Sequence, residues 1–214
     1  MPKRTELQLE TQDGVCPTHA FQPDGEGSWP GVLMYMDGIG MRPALWTIAD
    51  RIARQGYFVL LPNLFYRVGY NAEYGVNVFS DPEKRADLMT RIMPSASPAN
   101  VMRDTDVLLE YMHGLETVRA EKIGITGYCM GGRLAMYATG HYGDRVAAAA
   151  AYHPAGLATD SPDSPHRLAF EDSVLPVVRT RQSVLVDDDY ALEDGLWFEG
   201  APGHTPGNVV IHAR

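Results

Sequence analysis

The chain is predicted to be an α/β protein with a mostly parallel sheet and helices on both faces. Three observations lead there. Up to about residue 152, short apolar runs bounded by glycine or proline alternate with stretches of helical period, the pattern of a buried parallel sheet. One of those runs, Lys122–Thr126, leads straight into a glycine-flanked cysteine and a further helical stretch. After about Leu168 the helical period stops and short β-like runs take over. The sheet is therefore expected to be truncated and followed by a β-rich C-terminal segment of different origin.

The elements are read in order as follows. Residues 5–10 alternate weakly and suit an edge strand, while Pro17, Pro23, Gly25, Gly27 and Pro30 are read as loops and turns. Gly31–Met36 is a buried strand, broken by Asp37-Gly38-Ile39-Gly40. A helix begins near Pro43, carries Leu45, Ile48, Ile52 and Ala53 on one face, and stops at Gly56. Tyr57–Leu61 is a second strand closed by Pro62, and residues 66–81 are read as a long loop. Helical patterns run over about 82–93 and 99–113. Lys122–Thr126 is a third strand, Gly131–Thr139 a helix ending at Gly140, and Arg145–Tyr152 a fourth strand despite its alanines.

Composition narrows the function classes. With 214 residues the chain can bury a core without disulfides or metals. Apolar residues make up 45% and charged residues 21%, which excludes a disordered or collagen-like chain and a disulfide scaffold. The net charge of −9 argues against nucleic acid and anionic membranes as partners. No apolar run is long enough for a membrane span, and Met1–Glu6 does not read as a signal peptide, so a cytoplasmic location is expected. The two cysteines, Cys16 and Cys129, are read as free thiols.

The chemistry concentrates at Gly127-Tyr128-Cys129-Met130-Gly131-Gly132. A nucleophile between two glycines, after a strand and before a helix, is the pattern of a nucleophile elbow. The turn is too tight for side chains at its flanks. Free N–H groups at the helix start favour negative charge, which suits a thiolate. The N–H of Met130 is well placed to bind an oxyanion.

Several stretches extend this reading: the elbow at 127–132, Met36–Leu45, Ala53–Arg67, and Tyr152–Leu157 with Ser164-Pro165-His166. Over about residues 1–169 the chain resembles the dienelactone hydrolases of the α/β-hydrolase fold. The resemblance implies a hydrolase of lactones or small carboxylic esters, of the carboxymethylenebutenolidase type. It places the cysteine nucleophile at Cys129, an acidic residue near the thiol at Asp37, and the second oxyanion donor at the Ile39 N–H. Tyr35, Tyr66 and Arg67 are read as packing and surface residues in preference to a pocket lining.

A cysteine nucleophile needs a base, and the base an orienting acid. In this fold the acid and then the histidine follow the nucleophile. His141 is read as solvated at a helix end, and His153 and His166 match a loop of the family. Asp187, within Val184–Tyr190, and His204 are the remaining acid and base candidates. The spacing is short for parallel strands, since a crossover needs about a dozen residues or more. Val184–Val186, Leu196–Phe198 and Val209–His212 are therefore expected to be antiparallel.

The tail carries a second resemblance. Phe170–Val178, Leu192–Phe198 and Pro202–Gly207 look like a segment of a metallo-β-lactamase-fold hydrolase, in which His204 would be a metal ligand. The His-x-His-x-Asp-His motif of that family is missing, so no metal and no cofactor are expected. The expected organisation is a dienelactone-hydrolase-like domain over 1–169 and an appendage over 170–214, either a natural fusion fragment or an assembly error. Uncovering the sheet edge would favour a homodimer. The expected partner is a small ester or lactone. Two alternatives stand beside catalysis by Cys129: a remnant that binds a small molecule or protein without turnover, and a metal-dependent hydrolase acting through the tail.

Overall fold

A computed structural model describes residues 1–70, 78–154, 171, 175–179, 191–193, 196–200 and 209–213. The chain divides into two compact units, Met1–Thr180 and Arg181–Arg214.

The first unit is built on a six-stranded sheet in the order β1-β2-β4-β3-β5-β6. Its strands are β1 (Lys3–Thr11), β2 (Gly14–Gln22), β3 (Trp29–Tyr35), β4 (Phe58–Pro62), β5 (Val118–Tyr128) and β6 (Val146–Tyr152). β4, β3, β5 and β6 run parallel, and the hairpin β1–β2 joins antiparallel along β4. The fold class is the expected one: a mostly parallel sheet carrying helices.

The central strands explain themselves. All five residues of β4 and the last five of β3 are buried, as apolar runs covered on both faces must be. Leu33, Met34, Tyr35, Leu60 and Leu61 are fully enclosed and form the middle of the core. Helix α1 (Pro43–Arg54) returns the chain from β3 to β4, burying Leu45, Ala49 and Ala53. Its backbone ends at Gln55, and Gly56 takes a φ of +89°, a conformation that glycine adopts without strain.

Four elements differ from the sequence reading. Residues 14–22 form β2, where prolines and glycines had suggested loops. Cys16, Thr18 and Ala20 alternate inward, and the Pro17 carbonyl accepts the Asn63 N–H at 2.9 Å. Residues 82–95 form α2 (Pro82–Asp87), a π-helical turn (Leu88–Ile92) and the short α3 (Met93–Ser95). The next helix is α4 (Pro98–His113). Helix α5 (Met130–Tyr142) runs past Gly140 to end at Gly143. Gly140 lies inside it, and a Cβ there would strike Pro176 of α6 (Leu175–Arg179). That segment was read as β-like and is helical.

β6 is a strand, and it ends the sheet order. Ala147–Ala150 within it are exposed. Among the described residues no helix is long and apolar enough to cross a membrane.

Among its described residues the second unit holds three antiparallel strands, β7 (Ala191–Glu193), β8 (Leu196–Gly200) and β9 (Val209–Ala213). The antiparallel pairing of the last two is as expected. The proposed strand Val184–Val186 lies outside the described residues.

Candidate active site

The end of β5 makes the expected turn. Cys129 stands between β5 and α5 with φ +53° and ψ −115°, a conformation that costs a non-glycine residue on the order of 1–3 kcal/mol and clusters at functional sites. Three glycines make it feasible. A Cβ on Gly127 would run into the Gly131 carbonyl, and one on Gly131 into the carbonyls of Tyr35 and Met36. A Cβ on Gly132 would come within 3.0 Å of the Tyr152 carbonyl oxygen. The turn is thus wedged between the ends of β3 and β6.

The Cys129 N–H donates to the Tyr152 carbonyl at 3.0 Å, and its carbonyl accepts the Arg133 N–H at 3.2 Å. Beside it the rings of Tyr128 and Tyr152 stack at 4.9 Å. His153, the next residue, also has a positive φ of +37°. The Cys129 thiol is half-buried and unbridged. The N–H of Met130, first residue of α5, belongs to the donors that a helix leaves without an internal partner.

Across from the elbow lies the loop after β3. Tyr35 pairs in register with Gly127, so this loop starts beside the elbow. Asp37 is 14% exposed and forms a two-pronged ion pair with Arg42: Nη1 donates to Oδ1 and Nη2 to Oδ2, both at 2.6 Å. The Ile39 N–H donates to Asp37 Oδ1 at 3.0 Å. That N–H, expected as the second oxyanion donor, therefore faces its own loop. Gly38 is buried, a Cβ there would press on the Met93 side chain of α3, and its N–H has no partner among the described residues. The sequence signal for Arg42 was an arginine just past a glycine-rich Asp turn, at the start of α1.

Tyr35 and Tyr66 belong to packing, as read, whereas Arg67, read as a surface charge, is largely enclosed in an ion pair. Tyr35 is fully buried with its hydroxyl 2.7 Å from Thr105 Oγ1. Arg67 donates to both oxygens of buried Asp104 at 2.7 and 2.8 Å and to Asp13 at 2.8 Å. Burial opposes the charge on Arg67, but the bonds to Asp104 and Asp13 outweigh it and raise its pKa further. Tyr66 also donates to Asp104, and burial first of all pushes its hydroxyl up to about 12. Cys16 is enclosed, and burial pushes its thiol up to about 11. His141 is exposed, against Tyr137 and Tyr142.

Asp187, His204 and His166 lie outside the described residues. Among the described residues, no group of three or more His, Cys, Asp or Glu side chains is placed to hold a metal.

With this geometry in view, the chain can be compared with known proteins. The model of the dienelactone hydrolase family matches residues 16–179. The chain belongs to the dienelactone hydrolase family. Two bacterial members of that family's enzyme type are similar to it, both provisionally named carboxymethylenebutenolidase. The one from Methylorubrum extorquens is 27% identical over 136 residues, covering 64% of this chain and 44% of that protein. The one from Yersinia pestis is 28% identical over 151 residues, covering 69% and 52%. The chain spans about half the length of these relatives. A crystal structure from Klebsiella pneumoniae, provisionally titled a dienelactone hydrolase, superposes with a TM-score of 0.62 at 23% identity, covering 77% of this chain and 65% of that one. The dienelactone hydrolase fold is thereby the fold of this chain. These comparisons lend no support to a metallo-β-lactamase origin for residues 170–214.

Proposed function

We propose that this dienelactone hydrolase family member cleaves lactones or small carboxylic esters, with Cys129 as nucleophile. The strained φ of Cys129 at a glycine-walled strand-to-helix turn carries the reading. The thiolate attacks the carbonyl carbon. The oxygen that becomes negative takes hydrogen bonds from the Met130 N–H and, in place of Ile39, the Gly38 N–H. Two such donors are worth a few kcal/mol each in a dry site. The alkoxide leaves with a proton, and water releases the acid from the thioester. By chain order Asp187 and His204 are the acid and base of this scheme.

The relatives' names supply the substrate class, which comes to this chain as part of the proposal. One observation favours a second reading, acylation without turnover: the sequence after Cys129 offers no acid and histidine at the spacing that successive parallel strands require. Steady-state hydrolysis of p-nitrophenyl acetate and of a five-membered unsaturated lactone separates the two. Sustained hydrolysis by the wild type, abolished in Cys129→Ala, is the result expected for the enzyme. A single burst followed by silence would assign the second reading. Equal hydrolysis by Cys129→Ala would refute both.

A further inference from the structure

We propose that Arg42 is a positioning residue of the oxyanion site: it holds the Asp37 carboxylate on the Ile39 N–H and so leaves the Gly38 N–H as the loop's donor to the reacting oxygen. The inference rests on the proposed function of Cys129 and deepens it.

The loop from Asp37 to Arg42 is tied by five hydrogen bonds. Arg42 donates to both carboxylate oxygens of Asp37 at 2.6 Å and, through Nη1, to the Gly40 carbonyl at 3.0 Å. Asp37 Oδ1 accepts the Ile39 N–H at 3.0 Å, and the Asp37 carbonyl accepts the Gly40 N–H at 3.2 Å. Both charged side chains are largely enclosed, at 20% and 14% exposure. A two-pronged, charge-assisted pair of this kind fixes orientation as well as distance.

The position of Arg42 shows what the pair is for. Arg42 is the residue that precedes the first turn of α1, and its side chain makes no cap. Ser, Thr, Asp or Asn there would stabilise the helix, and a cation near a helix N-terminus is the unfavourable choice. The guanidinium is turned back onto the loop instead. Its gain is therefore made in the loop, and the loop stands against the elbow, where Gly131 packs on the Met36 carbonyl.

The same bonds define the role of Asp37. Its two oxygens already take three donors, and its charge is matched by Arg42. A base for the Cys129 thiol would need a free carboxylate aimed at it. Asp37 is a brace, and the acidic position expected near the thiol acts here through the backbone. Of the three N–H groups after Asp37, those of Ile39 and Gly40 are bonded within the loop. Gly38 is the one left over among the described residues, and Met93 seats it from the other side.

The test is pre-steady-state acylation by p-nitrophenyl acetate, read as a saturating rate and a half-saturating concentration, in Arg42→Gln, Arg42→Lys and Asp37→Asn. A misplaced oxyanion donor predicts a saturating rate lower by about tenfold or more in Arg42→Gln, with half-saturation within about twofold. Arg42→Lys, which keeps charge without the fork, should fall between and serves if Arg42→Gln does not fold. Arg42→Gln combined with Asp37→Asn should be no slower than the slower single variant, because one brace is lost in either case. Asp37→Asn should leave the acid limb of the pH–rate profile where it was. An unchanged rate in folded Arg42→Gln, a rise in half-saturation alone, or an acid limb moved by Asp37→Asn would each overturn the proposal. Wild-type protein that is never acylated at Cys129 would overturn the nucleophile reading along with it, whereas acylation insensitive to Arg42 would overturn this inference alone.

Discussion

The backbone N–H of Cys129 is tied to the carbonyl oxygen of Tyr152 at 3.0 Å, so the end of β6 helps to hold the nucleophile in its strained turn. A strained residue persists only where its surroundings over-determine it. Here the determinants are the Tyr152 carbonyl on one side and the carbonyls of Tyr35 and Met36 on the other.

Gly131→Ala should accordingly be among the most damaging small substitutions in the chain. Its methyl would have to displace backbone, since the atoms it meets are carbonyl oxygens of β3 and the loop after it. A loss of about 2–4 kcal/mol in urea unfolding is expected. A variant within 0.5 kcal/mol, roughly the scatter of a surface change, would mean that the elbow is looser than drawn.

The two thiols should separate cleanly in a titration with an aromatic disulfide at about pH 8. Cys16 is enclosed and its thiol is pushed up to about 11 by burial, and only thiolate reacts. Cys129 is half-buried at a turn. One thiol per native chain should react, and none in Cys129→Ala until the protein is unfolded.

Asp104→Asn should destabilise the chain by about 3 kcal/mol or more, because it strands the guanidinium of Arg67 in a largely enclosed site. Asp104 is 1% exposed and Arg67 11%. Asp104→Asn with Arg67→Met should recover part of the loss, measured as a double-mutant cycle.

His19 should make stability sensitive to acid. Its side chain is 14% exposed and packs against Trp46 and Phe21, with Glu6 only 4.0 Å away. Burial lowers its pKa below the ordinary value, against a weaker upward pull from Glu6. The folded state therefore binds the proton less tightly than the unfolded chain. The contribution is complete above about pH 6.5 and is lost as the pH falls below that value. The urea midpoint of the wild type should drop between about pH 7 and pH 5, and His19→Gln should flatten that slope.

Much of this architecture was legible in the residues. The runs at 31–36 and 57–61 have no polar residue to place on a solvent face, so they had to be buried strands. The sequence Gly-Tyr-Cys-Met-Gly-Gly admits little else than a tight turn. β2 was missed because Pro17 and Gly14 speak for turns locally, while its inward alternation of Cys16, Thr18 and Ala20 is satisfied only by a neighbouring β4. The π-helical turn at Leu88–Ile92 has the same apolar spacing as an α-helix to the eye. At the site, Cys129 and Met130 follow from chain order alone. Ile39 did not, because which N–H of a loop points outward depends on where the Arg42 side chain pins the Asp37 carboxylate.

The most direct measurement is the mass of the intact protein and of its Cys129 peptide after brief exposure to p-nitrophenyl acetate. A single acetyl group on Cys129, absent from Cys129→Ala, is the predicted result. An unmodified Cys129 in folded protein, or an acetyl group carried elsewhere, would contradict the account.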